Sequence, residues 1–187
     1  MSRVFFTADQ HFDHEGIIRI CQRKNPYTGQ LFSNVAEMNK VMIELWNDVV
    51  SPRDIVYCLG DFAHHSNAES SRKIFGKLNG QKHLLIGNHD KEYVRELPWG
   101  TPAEHMKFKT VDGISITMCH YGLVTWPGFH NGSISLYGHS HGNLAGTDRR
   151  LDVGVDCWNF MPVDLEMILE RMKTLPPHWG EDKSIED

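Results

Sequence analysis

Short apolar runs recur along the chain, and each stops at a polar cluster. Val4-Phe5-Phe6 stops before Asp9, Ile55-Val56-Tyr57 before Asp61, Leu84-Leu85-Ile86 before Asn88, 114–118 before His120 and 134–137 before His139. Runs of this length, rich in β-branched and aromatic residues, read as strands. Apolar residues then recur at helical spacing: Val35, Met38, Val41, Met42, Leu45, Trp46 and Val49 form one stripe, opened by a capping-box pattern at Ser33-Asn34 with Glu37 and closed at Ser51-Pro52. A second helix is predicted over 67–78, stopping at Asn79-Gly80, and a last one over 163–173, stopping at Leu175-Pro176-Pro177. His14 stands at the start of a further helix.

Strand and helix alternate in the first half, as in βαβ units. After Asp90 the pattern changes to strands and turns, over 106–111, 114–119, 133–137 and 151–155, with a turn at Asp112-Gly113. Polar clusters at successive strand ends matter because ligands gather beyond the carboxyl ends of strands in open α/β sheets. Residues far apart in sequence can therefore converge.

At 187 residues the chain is expected to be one domain over 1–175, with 176–187 as a mobile tail. The hydrophobic fraction of 40% and charged fraction of 23% are those of a folded globular protein. A formal charge of -5 argues against a general nucleic-acid or membrane binder, which would carry a basic excess. It leaves a nucleotide substrate open, because bound cations can supply positive charge locally. Neither a signal peptide nor an apolar run of about 18 residues is visible, so a cytoplasmic location is expected. Cys21, Cys58, Cys119 and Cys157 are too widely spaced for a zinc ribbon or disulfide framework, and Cys58 and Cys119 read as core residues.

The polar clusters are Asp9-Gln10-His11, Gly60-Asp61, Gly87-Asn88-His89-Asp90, His120 and Gly138-His139-Ser140-His141. In a chain with 12 histidines any one of them is weak; together they can hold two metal ions. In an extended segment residues i and i+2 share a side, so Asp9 and His11 can address one ion. The same spacing relates His139 and His141.

This order of clusters, from about Val4 to His141, resembles the calcineurin-like metallophosphoesterases, and within them the small bacterial and phage-associated type. The resemblance implies an α/β fold of two mixed sheets packed as a sandwich and flanked by helices. It also implies that Asp9, His11, Asp61 and His141 hold one ion, and that Asp61, Asn88, His120 and His139 hold the other. Asp61 is then the bridge, a role suited to a carboxylate with two anionic oxygens. His89 is the implied catalytic group, contacting phosphate or protonating the leaving oxygen; its alternative is a structural role behind the ligands.

Two divalent ions against two carboxylates leave the cluster cationic, which suits a phosphate ester and in-line attack by a metal-bound hydroxide without a phosphoenzyme. The mixed imidazole, carboxylate and amide donors suit Mn, Fe, Co, Ni or Zn, and the resemblance favours Mn. The expected substrate is a phosphodiester, such as a nucleotide or short nucleic acid. A phosphomonoesterase, a small nuclease and a noncatalytic scaffold that binds a partner protein are the alternatives. No Gly-x-Ser-x-Gly turn supports a serine hydrolase, and no obligatory protein partner is inferred.

In one respect the chain departs from the family. Many relatives carry an acid three positions after the bridging aspartate, where His64 stands here, so the group that orients His89 is open; Asp90 is one alternative. His14, His64 and Tyr121 are candidate substrate contacts, with His65 beside them; each is also readable as a surface or packing residue. The aromatic connection 120–132 reads either as a substrate-facing wall or as loop packing. Arg149 and Arg150 read as phosphate binders or as solvated charge.

Overall fold

The computed structural model describes residues 2–178. Its first sheet contains β1 (Val4–Thr7), β2 (Ile55–Cys58), β3 (Gln81–Leu84) and β8 (Val163–Asp164), in the order β3-β2-β1-β8. β1, β2 and β3 are parallel, and β8 runs antiparallel to β1 with Phe6 opposite Val163. The second sheet orders β4 (Met106–Val111), β5 (Ile114–Cys119), β6 (Ile134–Tyr137) and β7 (Arg150–Asp152) in sequence, with β4 and β5 as an antiparallel hairpin and the rest parallel.

Strand alternation assigns each residue to one of two cores. On β1 and β2, Phe5, Val56 and Cys58 face a core built with Met38, Met42 and Trp46, whereas Phe6, Tyr57 and Leu59 face Ile116, Met118, Leu136 and Leu151 of the other sheet. The two mixed sheets thus form the expected sandwich, with helices covering the outer face of the first. Cys58 and Cys119 are both buried.

The helices follow their local signals. In α2 (Val35–Val49) the Asn34 side chain accepts from the Glu37 backbone N–H at 2.9 Å, and the Glu37 carboxylate accepts from the Ser33 N–H at 2.7 Å. α3 (Ala68–Lys77) is capped the same way by Asn67. Short helices α1 (Glu15–Ile20) and α4 (Glu92–Arg95) complete the first half of the chain.

Three boundaries differ from the sequence reading. The strand expected over 151–155 ends at Asp152, whose carboxylate accepts from the Gly154 N–H at 2.7 Å and turns the chain into a 3-10 turn, Val155–Cys157. α5 runs Leu165–Met172, because Val163 is taken by the sheet and Asp164 caps the helix through the Met167 N–H. β3 ends at Leu84, and Leu85 forms only an isolated bridge with Glu104. At the C-terminus Pro176 accepts from the Asp148 N–H and the His178 N–H donates to the Asp148 carboxylate; the rest of the segment expected to be a mobile tail, 179–187, lies outside the described residues. Among the described residues no helix is long and apolar enough to cross a membrane.

Candidate dinuclear metal centre

The loops that follow β1, β2, β3, β5 and β6 meet at one end of the sandwich. Asp9 and His11 leave β1, Asp61 leaves β2, Asn88 and His89 follow β3, His120 follows β5, and His139 and His141 follow β6. Backbone hydrogen bonds hold these loops together: the Asp9 N–H donates to Gly60 at 3.0 Å, that of His11 to Asp61 at 2.9 Å and that of Gly138 to His120 at 3.0 Å.

The Asp-x-His and His-x-His pairs are not extended. Asp9, His11, Asp61, His139 and His141 have φ of 59°, 50°, 56°, 66° and 48°, a left-handed region that non-glycine residues rarely enter. This corrects the strand-spacing argument for these pairs: curled loops, not strand periodicity, bring the side chains together. Strain of this kind costs about 1–3 kcal/mol per residue and collects at functional sites. Close approach of the loops depends on glycines, Gly60 and Gly87 most sharply. A Cβ on Gly60 would lie 2.4 Å from His120 Nδ1, and one on Gly87 would lie 2.3 Å from Asp61 Oδ1.

Two donor groups result, Asp9 with His11 and His141, and Asp61 with His120 and His139; within each, ligand atoms lie within 4.8 Å of one another. Asp61 stands between them, its Oδ2 3.5 Å from His11 Nε2 and 3.5 Å from His120 Nε2. Its Oδ1 accepts from the His89 N–H at 2.9 Å. Asn88 Oδ1 lies 3.1 Å from His120 Nε2. His11 is 2% exposed, yet neither ring nitrogen has a hydrogen-bond partner. Leaving buried polar atoms unpaired costs about 1–3 kcal/mol each, a cost that a coordinated cation removes. The donors therefore fit divalent ions.

Burial and neighbouring charge move these groups away from their ordinary values. Burial raises the Asp9 carboxyl to about 7 and lowers His11 to about 2. Burial acts to raise Asp61 too, but hydrogen bonding and charge from His120, with the His89 N–H, hold it down at about 2. For His141 burial opposes the charged form, yet its hydrogen bonds, chiefly to Asp156, and nearby carboxylates push it up to about 10.

Behind the donors lies a brace that sequence reasoning missed. His141 Nδ1 is 2.7 Å from Asp156 Oδ2, and Arg23 grips that carboxylate through Nε and Nη2, each at 2.8 Å. Arg23 is 1% exposed and also donates to the Asp9 and Gln10 carbonyls. On the other side His120 Nδ1 lies 2.7 Å from the Leu59 carbonyl, directing Nε2 toward Asp61 and Asn88. Such partners fix the orientation of ligating rings.

The remaining candidates divide. The His89 ring is 5.4 Å from that of His11 and 4.1 Å from that of His64, so both lie beside the donor groups. Asp90 does not orient His89: its carboxylate accepts from the Asp61, Phe62 and Gly87 N–H groups at 2.9, 2.9 and 2.8 Å and ties two loops together. His14 makes no capping bond to α1 and packs its ring 4.6 Å from His64; burial and the neighbouring imidazoles lower it to about 4. Tyr121 is 45% exposed, with its ring 4.8 Å from that of His139. Trp126 and Phe129 are buried instead, with Trp126 Nε1 donating to Ser133, so this part of the aromatic connection is packing and not a substrate wall. Arg149 donates to the Phe129 and Ser133 carbonyls and Arg150 to that of Leu123, so both arginines tie loops down instead of offering free phosphate contacts.

Sequence relationships agree with this geometry. The family model described as calcineurin-like phosphoesterase matches residues 2–170. An uncharacterized protein of Methanocaldococcus jannaschii is 32% identical over 180 residues, covering 91% of each chain. The gene 66 protein of Mycobacterium phage D29 is 24% identical over 196 residues, covering 88% of this chain and 94% of its own. A crystal structure of a protein of unknown function from Aquifex aeolicus superposes with a TM-score of 0.69 at 21% identity, over 91% of this chain and all of that one, which shows a shared fold. The chain belongs to the calcineurin-like phosphoesterases, metal-dependent phosphoric ester hydrolases.

Proposed function

We propose that the site hydrolyses phosphodiesters with two divalent ions, one held by Asp9, His11, Asp61 and His141 and the other by Asp61, Asn88, His120 and His139. The observation that carries this is the place of Asp61 Oδ2, 3.5 Å from an imidazole nitrogen of each donor group. Manganese is the ion proposed first; Fe, Zn, Co and Ni suit the same donors. When bound, such a pair offsets phosphate charge and makes a hydroxide available near neutral pH.

The side chains have separate tasks. Asp61 presents its Oδ2 between the two groups, while the His89 N–H holds its Oδ1. Asp156, fixed by Arg23, keeps the His141 ring turned toward Asp9. The His89 imidazole is free of backbone duty and is assigned to the phosphate or the leaving oxygen as hydrogen-bond donor. His14, His64 and Tyr121 border the place where substrate sits.

Two features favour a diester. A cleft of about 570 Å³, lined by Leu144, Trp158 and Met161 and by Gly142 and Cys157, which follow His141 and Asp156 in the chain, is assigned to a second organic substituent. Arg149 and Arg150, engaged with backbone carbonyls, are not free to balance the extra charge of a monoester dianion. The test is turnover of a bis-aryl phosphate, an aryl monophosphate, cyclic nucleotides and short RNA by the manganese-loaded protein. Faster diester hydrolysis is expected, and a strong monoester preference would overturn the assignment.

A further inference from the structure

Beside the two donor groups lies a third cluster, made only of imidazoles. His14, His64 and His65 each offer a ring nitrogen, all within 4.8 Å of one another, and their ring centroids are 4.6, 4.9 and 4.0 Å apart in pairs. We propose that this trio is a separate site for a borderline transition-metal ion, zinc foremost, one imidazole away from His89.

The loops that carry the rings are built to hold them there. Phe12 and Ala63 form a parallel bridge, and the His64 N–H donates to the Phe12 carbonyl at 3.0 Å. The Asp13 carboxylate then fastens the two loops together. Its Oδ2 accepts from the Ser66 and Ser70 hydroxyls at 2.6 and 2.5 Å, and its Oδ1 accepts from the Asn39 amide at 2.7 Å. Asp13 adjoins His14 in the chain and Ser66 adjoins His65, so the same knot positions rings from both loops.

Two local features are hard to explain as packing. His65 has φ of 57°, a conformation that costs a non-glycine residue energy. His14 Nδ1 is buried and has no hydrogen-bond partner. A cation bound through His14 Nδ1 would give that nitrogen a partner and the His65 backbone strain a reason.

The donor chemistry selects the ion. The cluster contains no carboxylate, and the two that flank His14 in the chain are engaged elsewhere, Asp13 with hydroxyls and an amide and Glu15 with the Val35 N–H, which leaves an all-nitrogen donor set. Three neutral imidazoles suit zinc, nickel or copper and discriminate against magnesium and calcium, which take oxygen donors. Zinc with three protein ligands keeps its fourth position open to water or an exchangeable anion.

Zinc content measures the claim. The protein is saturated with zinc, passed through a desalting column in a weakly chelating buffer, and analysed by atomic emission, for the wild type and for His65→Ala and His65→Gly. The glycine variant removes the ring while tolerating the positive φ. The expected result is one zinc fewer per chain in both variants, three falling to two. A wild type with one ion and variants with none would support the trio and contradict the dinuclear reading instead. Equal zinc content in wild type and both variants would overturn the proposal.

Discussion

Asp61 and His89 adjoin through a hydrogen bond from the backbone of one to the carboxylate of the other, yet their side chains are assigned different work. Asp61 is the proposed bridge, and His89 the proposed contact to the substrate. Removing the His89 ring should leave the Asp61 carboxylate and its backbone partner in place. His89→Ala is therefore expected to lower kcat by about 10²- to 10⁴-fold, the usual range for general acid catalysis, with metal content unchanged. Loss of metal in that variant would make His89 a ligand. Arg23 presents the opposite case, a buried residue directly behind the donors whose removal should damage the fold. Arg23→Ala leaves the Asp156 carboxylate and two backbone carbonyls without their buried partner, and a loss of about 3–5 kcal/mol is expected in urea unfolding. The ligand candidates were legible as residues because each sits in a short cluster after an apolar run. Arg23 and Asp156 were not: they meet across 133 positions, and neither stands in a motif. The left-handed backbone of Asp9, His11, His139 and His141 was hidden as well, because nothing in the residue types themselves requires it.

At the scale of the element, α2 is secured at its start by Asn34 and along its length by residues that reach the first core. Asn34→Ala removes the acceptor for the Glu37 N–H and is expected to cost about 1 kcal/mol. Trp46→Ala, at a side chain 2% exposed, is expected to cost about 3–5 kcal/mol. Equal effects of the two would contradict a helix held mainly by burial. α2 was readable because capping residues and the 3.6-residue stripe agree. β8 was not, since Val163–Asp164 is two residues long and its sheet register is set by Phe6, a tertiary contact that overrides the helical pattern of the residues that follow.

For the whole molecule, protons and metal compete for the same groups. In the metal-free fold Asp9 titrates at about 7, above its ordinary value, so the folded state holds an extra proton between about 4 and 7; this contribution to stability is lost as pH rises through that window. His141, raised to about 10, behaves alike between about 6.5 and 10. His11, lowered to about 2, has the opposite sign: its contribution is present above about 6.5 and declines as pH falls below it. Metal binding requires all three groups deprotonated. The rise in Tm produced by a fixed manganese concentration should therefore grow from pH of about 6 to about 8. A rise independent of pH would place the ions elsewhere. The two-sheet architecture was legible from the change in pattern after Asp90, because alternating units build the first sheet and a hairpin with short crossovers builds the second.

The account rests on a pair of cations sharing Asp61. Anomalous diffraction from a crystal grown with manganese measures this directly. Two peaks about 3.5 to 4 Å apart, each beside an Asp61 carboxylate oxygen, are expected. A single peak, or peaks that leave Asp61 uncoordinated, would contradict it.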